Sequence, residues 1–286
     1  MVSLRVPASS ANLGPGFDCL GLAVALYMRC QAEFADQLQI SGCPAAYQNA
    51  DNLVYRAYGQ AARTLGYQPR ALRLHIESEV PFSHGLGSSA AAIVAGAAAA
   101  FCLHGVALDR EVLLNIAAAM EGHPDNVAAS VYGGLRASMR EGDGFVSVPF
   151  PISAALRMTA LVPPFELATM TARAALPQQV ALADVVHNLS HSLVLLKALE
   201  TGDMPLLTRC LQDKLHQPYR LPMMQGAGAV WEAAALQGAA VYLSGAGPTL
   251  MCLHLTEDFL SRMAAVLPEG WRCMPLAVDW QGVVLA

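Results

Sequence analysis

Five short segments of the 286-residue chain combine residue types that do chemistry. The first is Gly85-Leu-Gly87-Ser88-Ser89, set between the alternating run Leu72 to Ser78 and an alanine-rich stretch from about Ala90 to His104. Glycines let a backbone approach a ligand with no Cβ in the way, and the unpaired N–H groups at a helix start attract anions. Ser88 and Ser89 add hydroxyls able to bond a phosphate or a magnesium ion. A tight turn into a buried helix explains these residues equally well, so both readings stand at this level.

The second segment, Glu121-Gly-His123-Pro-Asp125-Asn126, gathers two carboxylates, an imidazole and an amide. An ATP-using enzyme needs hard oxygen ligands for Mg²⁺ and a group that orients a hydroxyl nucleophile. Glu121 suits the first task, Asp125 or Asn126 the second; a hydrogen-bonded turn between helices is the plain alternative. The third, Pro7 to Gly21, is dense in Ser, Asn, Asp and Gly beside a hydrophobic strand, a composition typical of binding loops. The fourth, Ser244-Gly-Ala-Gly-Pro-Thr249, is a hairpin turn or a second backbone cover for a phosphate. Last, Arg173 and Arg220 are two planar cations matched to the oxygens of a carboxylate.

Three other chemistries lack their residues. A P-loop requires Gly-Lys-Ser/Thr, and the only lysines are Lys197 and Lys214. The dinucleotide fingerprint requires a third glycine where Ala90 stands. A hydrolase using Ser88 with His123 and Asp125 would want Gly-x-Ser-x-Gly, which the chain does not contain.

The elements that must position these residues follow from periodicity. Leu72, Leu74 and Ile76 alternate with polar residues and predict a half-buried strand. Asp109 is a good N-cap and Gly122 a good stop, so the spacing predicts a helix between them, then a shorter one ending at Gly133-Gly134. Further strands are expected at Arg157–Val162, 239–244 and 250–255. A helix is expected over the apolar positions 182, 185, 186, 189, 193 and 196. Strands and helices mix in both halves with antiparallel connections, which reads as an α+β fold with a boundary near Pro149–Pro151.

With 55% hydrophobic and 14% charged residues, the chain has ample core material. The longest apolar run, Ala90 to Leu103, is too short to span a bilayer, and the first residues carry no leader pattern. A net charge of −5 argues against nucleic acid as a partner. Seven scattered cysteines without paired spacing suit a reducing, cytoplasmic setting and form no metal motif.

Taken in order, these segments resemble the GHMP kinases. Pro81-Phe-Ser-His-Gly-Leu-Gly-Ser-Ser-Ala-Ala91 looks like their ATP loop, and Ser244 to Thr249 like their C-terminal glycine motif. The runs Val6 to Gly21 and Glu121 to Val127 are similar, almost residue for residue, to the homoserine-phosphorylating branch. The resemblance implies two α+β domains, 1–150 and 151–286, with the active site at their junction. It implies ATP held by Pro81, Phe82, Ser83, His84, Gly85, Leu86, Gly87, Ser88, Ser89, Ala90 and Ala91, and Mg²⁺ held by Glu121 and Ser89. By position, Asn12, Asp18, His123, Asp125, Asn126, Arg173 and Arg220 would contact L-homoserine, with Glu121, Asp125 and Asn126 as the catalytic set. Asp125 as general base is left open, since only some branches of the family are thought to use an aspartate. The product would be O-phospho-L-homoserine, a step towards threonine; another small alcohol or amino alcohol is the alternative acceptor. Homodimers occur in the family and are the expected assembly. The chain departs from the pattern at Thr169-Met-Thr-Ala172, which lacks lysines, at Ala129 in place of proline, and at Gln217 in place of glutamate.

Overall fold

The computed structural model describes residues 1–286. The first half runs β1 (Val2–Ala11), β2 (Leu20–Phe34), β3 (Gln39–Ser41), α1 (Leu53–Thr64), β4 (Leu72–Ser78), α2 (Ser88–Leu103), α3 (Arg110–Glu121), α4 (Asp125–Tyr132), β5 (Leu135–Glu141) and β6 (Gly144–Phe150). The second runs β7 (Arg157–Val162), α5 (Thr169–Ala174), α6 (Leu182–Thr201), α7 (Met204–Cys210), α8 (Gln217–Arg220), α9 (Ala227–Leu236), β8 (Ala240–Leu243), β9 (Leu250–His254), α10 (Phe259–Ala264), β10 (Arg272–Leu276) and β11 (Val284–Leu285).

Seven strands form one sheet in the order β11-β1-β2-β4-β3, with β5 and β6 continuing from the start of the long β2. Only β3 and β4 pair in parallel. A second, wholly antiparallel sheet has the order β10-β7-β9-β8. The mixture is α+β, as the alternation of patterns predicts. The chain's last strand crosses back to pair with β1, and Val278 bridges to Val24 on β2.

The predicted caps act as expected on α3: the Asp109 side chain accepts from the N–H groups of Glu111 and Val112, and Gly122 ends the helix in the left-handed region. α2 is buried nearly all round. Its alanines leave little side chain between helices, so α1 and α2 approach backbone to backbone at Gly96, where a Cβ would collide with Val54 O. No helix is long and apolar enough to cross a membrane. A second cluster joins Ala8, Leu20 and Leu22 of the first sheet to Met158, Tyr242 and Met251 of the second, with Leu195 and Leu199 of α6.

Two expectations need correction. Pro7 to Ala11 is not loop but the end of β1; the loop proper begins at Asn12. On α6 the 3.6-residue period marks the helix correctly but not its inward side. Leu182, Val186, Leu189 and Leu193 are 78%, 56%, 59% and 69% exposed, while Asn188, Leu195, Ala198 and Leu199 are buried. Periodicity locates an apolar face; it does not say what covers it.

Gly96→Ala tests the close approach of α1 and α2. A Cβ forced against backbone should cost about 1–3 kcal/mol and outweigh the better helix propensity of alanine. Urea unfolding should therefore show a lower midpoint, whereas a higher one would mean the helices stand further apart.

Candidate active site

Three segments distant in sequence meet at one cleft. The chain leaves β1 through Asn12 and Leu13, both at positive φ, and Asn12 fastens the turn: its Nδ2 donates to Gly245 O (2.8 Å) and its Oδ1 accepts from Asp18 N (3.0 Å). The glycine loop enters α2 at Gly87, φ +68°, which has no side chain to cap the helix. The first N–H groups of α2 are thus open to a ligand, at the positive end of a 16-residue dipole. The hairpin turn between β8 and β9 covers the loop from the other side: Ser244 Oγ donates to Gly85 O at 2.7 Å, and Thr249 N to His84 O at 3.3 Å.

The cleft is lined almost wholly by polar groups and glycine. It brings together Asn12, Asp18, Ser83, Gly85, Gly87, Ser88, Ser89, Glu121, His123, Asp125, Asn126, Arg173 and Arg220, with Thr169, Gly245 and Ala246. All seven residues matched to substrate contacts are in it. Of the eleven loop residues, Leu86, Ala90 and Ala91 turn their side chains into the cores, so only their backbone can serve a phosphate. Pro81 lies outside the lining, and the His84 ring is tied to the carbonyls of Phe82 and Pro163.

At the start of α4 the polar side chains are tied to one another and to β1. His123 Nδ1 donates to Asp125 Oδ1 at 2.7 Å, which also accepts from Asn126 N at 2.7 Å. Ser9 Oγ donates to Asn126 Oδ1 at 3.0 Å, leaving the Nδ2 donors of Asn126 without a protein partner. Ser89 Oγ donates to Glu121 Oε2 at 2.8 Å. Burial pushes the Glu121 carboxyl up, against the Ser89 bond and the nearby His123, which favour its charged form. Burial alone would depress His123, but the bond to Asp125 and the carboxylates of Asp125, Glu121 and Asp18 raise it above its ordinary value.

Ser89 and Glu121 offer a hydroxyl and a carboxylate side by side at the anion end of α2. That all-oxygen set fits a magnesium ion, which keeps several waters and takes its other ligands from phosphate. Asp18, His123 and Asp125 also converge within 4.8 Å. There, however, Asp18 is already paired with Arg173 and Asp125 with His123, and an imidazole suits magnesium poorly.

The two arginines differ. Arg173 is half exposed and binds Asp18 through both Nη atoms, at 3.0 and 2.8 Å. Arg220 is 1% exposed. Its Nε donates to Ala172 O (3.3 Å), and its Nη1 to Gly245 O and His216 Nδ1 (both 3.2 Å), which leaves Nη2 for the cleft. Burial, helped by the Arg173 charge, lowers its pKa to about 10, so it stays a cation at neutral pH. His216 donates through Nε2 to Gly14 O (2.8 Å), and burial lowers its pKa and keeps it neutral. The guanidinium groups of Arg173 and Arg220 lie 5.5 and 5.3 Å from the centre of the Phe17 ring, which stacks on His216.

A mostly apolar hollow adjoins the glycine loop, sharing Ser83, Ser88 and Ser89 with the cleft. Met28, Tyr47, Leu53, Val54, Ile76 and Phe82 line it, and Tyr47 stacks on Phe82 at 5.6 Å. Except for Phe82, sequence reasoning missed these residues, because apolar positions on β2, α1 and β4 look like any other core. The Gln217 departure also has a local cause: its Oε1 accepts from Leu243 N and its Nε2 donates to Leu211 O, and a glutamate could not make the second bond.

Comparison with known proteins agrees with this geometry. The chain matches the models of the GHMP kinases N terminal domain over residues 52–134 and the GHMP kinases C terminal region over residues 195–273. It is 38% identical over 292 residues to a homoserine kinase of Clostridium botulinum (strain Okra / Type B1), covering 100% of this chain and 98% of that one. A homoserine kinase of Deinococcus radiodurans is 46% identical over 257 residues, covering 88% of this chain and 84% of the relative. The crystal structure of a homoserine kinase from Cytophaga hutchinsonii superposes with a TM-score of 0.82 at 29% identity, covering 100% and 97% of the two chains.

The His123–Asp125 pair has a measurable sign. A histidine whose folded pKa is raised contributes stability that is fully present below the unfolded value of about 6.5 and is lost as pH rises through the folded value. Asp125→Asn should therefore lower the His123 pKa, followed by imidazole C–H shifts in NMR. Its stability deficit against wild type should be larger at about pH 6 than at about pH 8. An unchanged His123 titration would show that the pair does not set it.

Proposed function

The chain belongs to the GHMP kinases, within their homoserine kinase branch, and on that premise we propose how its own residues phosphorylate the side-chain hydroxyl of L-homoserine with ATP, giving O-phospho-L-homoserine on the way to threonine. The observation that carries the reading is one cleft in which a bare helix N-terminus faces a carboxylate-and-guanidinium set of both signs. The first suits a polyphosphate. The second suits an amino acid and has no use for an uncharged alcohol.

In this reading the glycine loop cradles the phosphates with backbone N–H groups from Gly85 to Ala90, and the apolar hollow beside it takes the adenine. Glu121 and Ser89 hold Mg²⁺, whose chemistry is to neutralise charge on the phosphate oxygens. Arg220, through its open Nη2, and Arg173 take the substrate carboxylate, and Asp18 takes the ammonium. Asn126 donates through Nδ2 to the reacting hydroxyl and holds it in line. Asp125 positions its neighbours: its Oδ1 accepts from His123 and from Asn126 N. Phosphoryl transfer asks the protein mainly for alignment and charge stabilisation, which this set supplies without a dedicated base.

We assign the chain two domains meeting at the cleft, divided near residue 150, the last strand returning to the first sheet. We also place it in the cytoplasm, where its seven free cysteines would stay reduced. It forms a homodimer through the exposed stripe of Leu182, Val186, Leu189 and Leu193 on α6. Two such faces packed together would bury on the order of 1,000 Å², the scale at which specific interfaces begin.

Magnesium-dependent ADP release should be strong with L-homoserine and weak with L-serine, L-threonine and mevalonate. Arg220→Met should raise the KM for homoserine on the order of tenfold to a hundredfold, the loss expected for hydrogen bonds to a charge, with the KM for ATP unmoved. Turnover of mevalonate in place of homoserine would discard the substrate. For the assembly, light scattering should give twice the mass of one chain, halved by Leu189→Glu; a wild-type monomer refutes it.

A further inference from the structure

Arg173 and Asp18 face the cleft, yet they are closed on each other through two parallel bonds of 3.0 and 2.8 Å. Arg220 beside them still has a free Nη2. The cleft thus presents one open cationic donor and one self-paired couple. The helix that carries Arg173 is six residues long, with Ala172 its only buried member. Two side-chain ties hold it down: Arg220 Nε on Ala172 O, and the pair with Asp18.

We propose that the Asp18–Arg173 pair is a charge gate that admits zwitterions and turns away singly charged alcohols. This rests on the homoserine reading above. A ligand bearing both an ammonium and a carboxylate replaces each partner at once: its carboxylate lands on Arg220 Nη2 and draws Arg173, while its ammonium takes Asp18. Charge is balanced before and after. A ligand with one charge must strip one partner and leave the other without a counter-ion. Arg173 keeps its contact with the Phe17 face on release, so it is not cast loose into water. Both partners are partly exposed, so solvent softens the unpaired state and the gate works by about tenfold rather than by thousands.

Two truncated substrates read the gate directly. 4-Hydroxybutyrate is homoserine without its ammonium, and 3-aminopropan-1-ol is homoserine without its carboxylate. Wild type should phosphorylate both far less well than L-homoserine. Asp18→Asn suits the left-handed backbone at this position and frees Arg173. It should raise kcat/KM for 4-hydroxybutyrate about tenfold over wild type, the discount expected for a half-exposed pair, while lowering it for homoserine. Arg173→Met should do the same for 3-aminopropan-1-ol. Misfolding cannot produce a gain, and two independent contacts would produce none. Variants that lose homoserine activity and gain nothing on either truncated substrate overturn the gate alone. A wild type inactive on homoserine strikes the substrate reading, and the gate with it.

Discussion

A Cβ at Gly87 would collide with Ser9 Oγ and stand 3.0 Å from Asn126 Oδ1, and one at Gly85 would collide with Ser244 O. Those absences let β1, the glycine loop, the start of α4 and the β8–β9 turn close on one another backbone to backbone. Ser9 N donates to Leu86 O at 3.2 Å and Gly245 N to Ala11 O at 3.0 Å. Inside, Ser10 Oγ shares bonds with Tyr242 OH (3.0 Å) and Ser244 Oγ (2.8 Å). Every later feature of the site depends on that closure. It satisfies the loop's carbonyls from protein groups and leaves the N–H groups of α2 as the donors still open.

A second constraint works one layer further out. Asp213, buried, accepts from Asn188 Nδ2 and from the N–H groups of Leu215, His216 and Gln217 at 2.6 to 2.9 Å. Those bonds shape the turn into α8 and so fix His216, which holds Arg220 on one side and Gly14 O on the other. Asn188 also reaches Pro15 O at 3.1 Å, so the loop after β1 and the turn into α8 are fastened from the same residue of α6. A buried carboxylate is costly unless its lone pairs are filled; here they are, and its anionic form is favoured despite burial.

What could be read in the sequence was whatever depended on local rules. Asp109 and Gly122 bound α3 because capping needs only the neighbouring residues, and Leu72 to Ser78 is a strand because alternation is local. The chemistry-bearing residues were legible by type and by resemblance, and all of the polar ones proposed to touch substrate reached one cleft. What failed needed partners far along the chain. Leu182 to Leu193 on α6 cannot announce in sequence which side meets Ala160 and Met251 of the second sheet. Met28 and Val54 cannot announce that they border a hollow rather than fill a core. The closed Asp18–Arg173 pair joins residues 155 positions apart, and no spacing rule reaches that far.

The distribution of cations bears on what the proposed reaction would have to keep apart. The chain has two lysines, and neither Lys197 nor Lys214 lines the cleft; of its arginines only Arg173 and Arg220 do. In the proposed complex a polyphosphate and an amino-acid carboxylate, both anionic, share the one cleft. A lysine at the glycine loop would attract either, and homoserine could then bind backwards with its carboxylate on the phosphate site. A helix dipole and a row of N–H groups bind phosphate with fixed direction and no mobile charge. Guanidinium groups set beside an aspartate, by contrast, would under the proposed gate favour a carboxylate with an ammonium next to it. In the proposed complex, leaving the phosphate side to dipoles and metal, and the substrate side to paired formal charges, would make the two subsites chemically distinct. Each ligand would then have one place to go.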